Sequence, residues 1–196
     1  MTGIGVATSA LHEALARSAE RHGRLCPRQV LGVRIGLAAL RAFEVDRGVR
    51  HLLAIVETDG CFVDGVEAAT GCALGRRTLR LVDHGKVAAT FVDLRDGRAL
   101  RIVPRPDVRE QARAFAPEEP RRYYAQLAAY QRMPDALLLD AREVTLKASL
   151  EELRGCAGVR VSCVRCGEEV IDGREVPCAE GLCCRGCAGQ IYYQLR

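Results

Sequence analysis

The sequence predicts an α+β fold: a mixed or antiparallel sheet with helices on one face, followed by a small cysteine-rich module. Three observations carry this expectation. Two amphipathic helical segments precede any strand; the segments then run in the order α-α-β-α-β-β-β; and seven of the ten cysteines fall from Cys156 onward. Hydrophobic residues make up 48% of the 196, enough for a sizeable core.

The first helix spans residues 9–22, with Leu11, Ala14, Leu15, Ala19 and His22 recurring on one face at helical period. His22 therefore ends the buried stripe, and Gly23 suits the left-handed stop beyond it. Pro27 fits the first position of a second helix, which makes Cys26 its N-cap. Gly32 and Gly36 on that helix would let another element come close, most simply as tight packing. "HLLAIVE" (51–57) reads as a buried strand. A short helix follows from Asp64, its N-cap, to Thr70, with Gly71 as its stop. Residues 78–104 read as three strands with turns at His84-Gly85 and Asp96-Gly97, the second a hairpin signal. Residues 107–133 are charged and helical, interrupted by "APEEP". Residues 135–153 hold further strands at Leu137–Leu139 and Glu143–Lys147.

The change of composition near Gly158 divides the chain into a core domain, 1–156, and a module, 157–196. In that module "CVRC" and "CRGC" are two Cys-x-x-Cys pairs with 17 residues between them. Each pair offers two thiolates to one ion, and a spacer of that length folds back as a hairpin. Cys163, Cys166, Cys184 and Cys187 thus describe a treble-clef or zinc-ribbon site, with Gly167 in the knuckle turn and a helix beginning at the second pair. Zinc is the expected ion, rubredoxin-like iron the alternative. Four thiolates close the coordination shell, so the ion is structural. Cys156, Cys178 and Cys183 are left over as incidental thiols, although Cys183 could compete with Cys184 as third ligand.

Composition also excludes functions. No apolar run approaches the ~20 residues that cross a bilayer, and no signal pattern opens the chain, so a cytoplasmic location is expected. Net charge is only +4, and from Gly155 onward five arginines face five acids. That balance argues against a nucleic-acid surface and weakens a zinc-finger regulator.

The N-terminal half carries a second constellation. Cys26 lies where helix N–H groups and the helix dipole favour a thiolate, four residues after His22. Cys61 follows the first strand in "ETDGCFVDG", and Cys72 follows the short helix in "ATGCALGRR". A helix between those two cysteines would separate them by roughly 15 Å.

"RHGRLCPRQVLGVR", "AIVETDGCFVDGVEAATGCALGRRTL" and "DHGKVAATF" resemble the FmdE family, named for a component of formylmethanofuran dehydrogenase. The likeness covers about residues 10–105, and the tail resembles the treble-clef finger of some members. The resemblance implies a core like the catalytic domain of glyceraldehyde-phosphate dehydrogenase, a homodimer, and a cleft lined by His22, Cys26, Cys61, Asp64 and Cys72. The chain departs from the family pattern at Arg24, where a second histidine is expected, at Arg28, at Glu67 and at Arg76. Guanidinium does not coordinate metal, but Arg24, Arg28, Arg76 and Arg77 could read an anionic group. Two functions follow. One is a metal-binding protein accessory to a molybdenum- or tungsten-dependent oxidoreductase, with a second metal at His22 and Cys26. The other is an enzyme with Cys26 or Cys61 as nucleophile, His22 as base, and Asp59 or Asp64 as support.

Overall fold

A computed structural model describes residues 3–155 and 157–194, and for residues 3–8 the backbone alone. The chain divides into two compact units, Met1–Thr145 and Leu146–Arg196. This division falls before the composition change at 157, because the short α7 (Leu150–Arg154) counts with the second unit. α7 opens on a capping box between Ser149 and Glu152.

In the first unit, α1 (Gly3–His22) and α2 (Pro27–Phe43) form a helical pair. β1 (Leu52–Val56) leads into α3 (Cys61–Thr70). Then come β2 (Leu79–Leu81), β3 (Ala89–Asp93) and β4 (Ala99–Pro104). After α4 (Val108–Phe115), α5 (Arg122–Arg132) and α6 (Asp135–Leu138), β5 (Leu139–Glu143) closes the unit. The five strands form one mixed sheet in the order β2-β1-β3-β4-β5. β1 pairs in parallel with β2 and antiparallel with β3. The expected strand at Glu143–Lys147 is instead β5, and Leu137–Leu139 straddles the end of α6. Pro134 caps α6 and holds its single turn helical.

Register aligns the core. Ala54, Phe91 and Leu100 lie side by side across β1, β3 and β4, as do Val56, Ala89 and Ile102. All six join the core cluster with Val30, Val33 and Ile35 of α2. α2 is tied to the distal helices by the buried Arg34. Its guanidinium donates to the carbonyls of Tyr130 (2.7 Å) and Met133 (2.6 Å) and to Asp135 Oδ1 (2.6 Å). Each nitrogen of that buried charge thereby meets oxygen, the condition for burying it without a large penalty.

α3 approaches α2 closely, and glycine makes it so. A Cβ on Gly32 would lie 2.2 Å from the Phe62 carbonyl, and one on Gly65 would lie 2.2 Å from the Gln29 carbonyl. The expectation of close approach at Gly32 and Gly36 holds, and Gly65 supplies the matching gap on α3.

One buried carboxylate anchors the sheet's loops. Glu57, just past β1, takes a bidentate pair from Arg101 (Nε–Oε1 2.6 Å, Nη2–Oε2 2.8 Å). Its backbone carbonyl accepts from the N–H groups of His84 and Lys86. The Arg101 hydrogen bonds hold the Glu57 carboxyl below its ordinary range, against the opposing effect of burial. A depressed carboxyl stabilises the fold above its unfolded-state value, and that stability is lost as pH falls through the lower folded value. Glu57→Gln is therefore expected to lose about 2 kcal/mol at neutral pH. It should also flatten the wild type's acid limb below about pH 5, read by urea unfolding at each pH.

Candidate functional site

Two local structures aim the first unit's site. Gly23, with φ +77°, turns the chain after α1, and Cys26 follows as the extended N-cap of α2. Gln29 fixes this turn. Its amide oxygen accepts from the Cys26 N–H (2.8 Å), while its amide nitrogen donates to Ser18 O and Oγ (both 3.0 Å). Gln29 and Ser18 are fully buried, so the two helices share one satisfied polar contact.

The N-cap of α3 lies four residues earlier than expected. Gly60 is the N-cap, Cys61 the first helical residue, and Asp64 lies in the first turn. Cys61 and Asp64 are thus three apart on one helix, which puts them on the same face. Both meet His22. Its Nδ1 lies 2.8 Å from Asp64 Oδ2, and its Nε2 lies 3.4 Å from Cys61 Sγ. The carboxylate accepts at one ring nitrogen and so orients the other toward sulfur. His22 is not the buried end of a stripe; about a third of its side chain (32%) is exposed. Burial, then the neighbouring Cys26 thiol, push the Cys61 thiol above its ordinary value, while the Arg28 charge draws it back down.

Cys72 does not join this group. It lies past the opposite end of α3, buried in the core, with its thiol donating to the Leu52 carbonyl (3.4 Å). Burial pushes its thiol up, as expected of a core residue. Arg76 likewise is turned inward to structure, donating to the carbonyls of Gly71 (3.2 Å) and Gly48 (2.8 Å). Glu67 pairs with Arg21 at 2.6 Å.

The second unit holds two hairpins, β6 (Arg160–Ser162) with β7 (Glu169–Ile171), and β8 (Val176–Cys178) with β9 (Gly181–Cys183). The first Cys-x-x-Cys forms the turn between β6 and β7, with Gly167 at φ +77°. The second follows β9. The sulfurs of Cys163, Cys166, Cys184 and Cys187 all lie within 4.8 Å of one another. Backbone N–H groups of Cys166 and Cys184 lower the Cys163 thiol to about 6, whereas its thiol neighbours Cys184 and Cys166 raise Cys187 to about 12. One thiolate forms readily there and the last is opposed by its neighbours, a conflict that a divalent cation resolves. The donor set fits a closed, structural metal site.

Two expectations for this unit are corrected. The helix after the second pair is a single turn, Gly186–Gln190, broken by Gly189 at φ +103°. Cys178 and Cys183 are not loose thiols but a disulfide, because the β8-β9 hairpin sets their Cα atoms 6.0 Å apart. Cys183 therefore does not compete for the metal. Cys156 lies outside the described residues. His22, Cys26, Cys61 and Asp64 are not among the described groups whose ligand atoms all lie within 4.8 Å of one another; His22 meets Cys61 directly.

A family model described as "FmdE, Molybdenum formylmethanofuran dehydrogenase operon" matches residues 21–144, the span that carries the His22–Cys61 site. The chain belongs to the FmdE family. A curated relative from Archaeoglobus fulgidus, a probable S-adenosyl-L-methionine-binding protein, is 31% identical over 208 aligned positions covering 94% of this chain. This FmdE chain spans about half (55%) of that relative's length. The fold is shared with a solved FmdE-like protein of the tungsten formylmethanofuran dehydrogenase type from Syntrophus aciditrophicus. The TM-score is 0.62 at 23% identity, covering 94% of this chain and 95% of the other. No helix among the described residues of the FmdE chain is long and apolar enough to cross a membrane.

Proposed function

We propose that this FmdE-family chain is a metal-binding protein serving a molybdenum- or tungsten-dependent oxidoreductase, in the cytoplasm and as a homodimer. The observation that carries the metal-binding reading is the meeting of four cysteine sulfurs in the second unit. Zinc is the ion such a closed thiolate set selects, in a treble-clef-like finger whose helix is cut to one turn. The family's description supports the oxidoreductase link.

A second reading concerns the first unit, and the alignment Asp64–His22–Cys61 favours it. The carboxylate fixes the ring, and the ring's far nitrogen faces a thiol at the first turn of a helix. That is the arrangement of an activated cysteine nucleophile, with His22 taking the proton and Cys61 the attacking atom. Of the candidates Cys26 or Cys61 and Asp59 or Asp64, these contacts support Cys61 and Asp64.

Metal analysis of the purified chain separates the roles. One zinc per chain is expected, retained in Cys26→Ala and Cys61→Ala. A second equivalent that disappears in Cys26→Ala would restore a metal at the first site and count against the nucleophile. For the accessory role, cells lacking this chain should yield the oxidoreductase with depleted molybdenum or tungsten; full occupancy there would remove that part of the proposal.

A further inference from the structure

A cavity of about 240 Å³ opens within the first unit. Its wall starts at Pro27 and Arg28, the two residues after Cys26, and continues through the β4–α4 connection to α4 and α5. The lining has two characters. Leu31, Val87, Val108 and the ring of Tyr130 are apolar, while Arg28, Arg105 and Arg109 bring three guanidinium groups. Among the described residues no acid lines it. Asp107 stands just outside, 3.7 Å from Arg105. Among the described residues Arg28 and Arg109 make no ion pair within the chain. Arg109 also lines a neighbouring cavity of about 310 Å³ with Arg113, Arg122 and Glu110.

Three cationic forks around an apolar hollow are a recognisable chemistry. Guanidinium matches the planar or tetrahedral oxygens of carboxylate and phosphate, and the apolar wall takes a hydrocarbon body. At this volume the guest is smaller than the ligands of drug-sized pockets, which start near ~300 Å³. We propose that this cavity binds a small organic anion, with its carboxylate or phosphate on Arg28 and Arg109 and its apolar body against Leu31 and Tyr130. Arg28 stands two residues after Cys26, in the first turn of α2. The inference goes beyond the reading of Cys61 as the reacting atom and stands apart from it. Of the expected anion reader Arg24, Arg28, Arg76 and Arg77 it keeps Arg28 alone, and Arg76 is bound to backbone carbonyls.

Isothermal titration of the full-length chain with phenyl phosphate and with benzoate tests it; benzyl alcohol serves as the neutral control. At least one anion should bind, weakening as salt rises, and the alcohol should not. Arg28→Gln and Arg109→Gln should each weaken binding roughly tenfold, the strength of a charged hydrogen bond. Both side chains are exposed, so thermal melts should stay at the wild-type value. Cys61→Ala should bind as wild type does, so that failure of the nucleophile reading leaves this result standing and the reverse also holds. Failure of both anions to bind, equal binding of benzyl alcohol, or binding undiminished in both arginine variants would overturn the proposal.

Discussion

Cys166→Ala is expected to cost the chain its metal and to unfold residues 146–196 while the first unit stays folded. Beyond the local Cys178–Cys183 disulfide, which closes only one hairpin, the second unit has little else to hold it. Among its described residues the only buried hydrophobic ones are Leu153, Cys163 and Cys183, and the strands are three residues each. Metal binding in such a module is folding free energy, on the order of 10 kcal/mol for structural zinc. Each hairpin can form only a few backbone bonds without it. Limited proteolysis of the full-length protein, with and without a strong chelator, reads the outcome. Cleavage should concentrate beyond residue 146 in both chelated wild type and Cys166→Ala, and metal readdition should reverse it only in the wild type. A tail that resists protease without metal would show that the four cysteines are not its staple.

The second large effect is expected at the α2–α3 contact. Gly65→Ala places a methyl 2.2 Å from the Gln29 carbonyl and 3.0 Å from Gly32 Cα. Neither is a flexible side chain, so the helices must separate. Such overpacking against backbone should destabilise by at least about 3 kcal/mol. The consequence reaches the site, because this contact sets the N-terminus of α2, with Cys26, against that of α3, with Cys61. Urea unfolding measures the loss, with Gly75→Ala as control. A Cβ there meets nothing within 4 Å, so that change should stay within about 0.5 kcal/mol. Equal behaviour of the two variants would mean that the helices tolerate separation.

The local chemistry of this molecule is largely legible in its sequence. Pro27 announces the start of α2 and Cys26 its cap. Gly71 and Gly167 mark turns that need positive φ, and both adopt it. The spacing of the Cys-x-x-Cys pairs foretells the meeting of four sulfurs. Whatever depends on which elements become neighbours is hidden. Nothing in "TLRLVD" says that β2 runs parallel to β1 when a turn at Gly85 suggests a hairpin with β3. Cys178 and Cys183 look incidental until hairpin register brings them together. The site itself is half legible. His22, Cys26, Cys61 and Asp64 all stand out by residue type and local setting, but Asp64 reads from sequence as the cap of α3. Starting that helix at Cys61, after the Gly60 turn, is the signal that puts Cys61 and Asp64 on one face. Cys72 shows the opposite failure, since a thiol in a glycine-flanked stretch can be simply a small core residue.

The pairing of His22 with Cys61 is the centre of the functional reading, and the reactivity of Cys61 tests it most directly. Iodoacetamide alkylation of Cys61 can be followed by peptide mass mapping near neutral pH in wild type, His22→Gln and Asp64→Asn. With the imidazole assisting a thiol that burial otherwise keeps protonated, wild-type Cys61 should react roughly tenfold or more faster than in His22→Gln. Asp64→Asn should fall between them. Equal rates in all three proteins would contradict the account, leaving His22 and Cys61 as neighbours without a shared task.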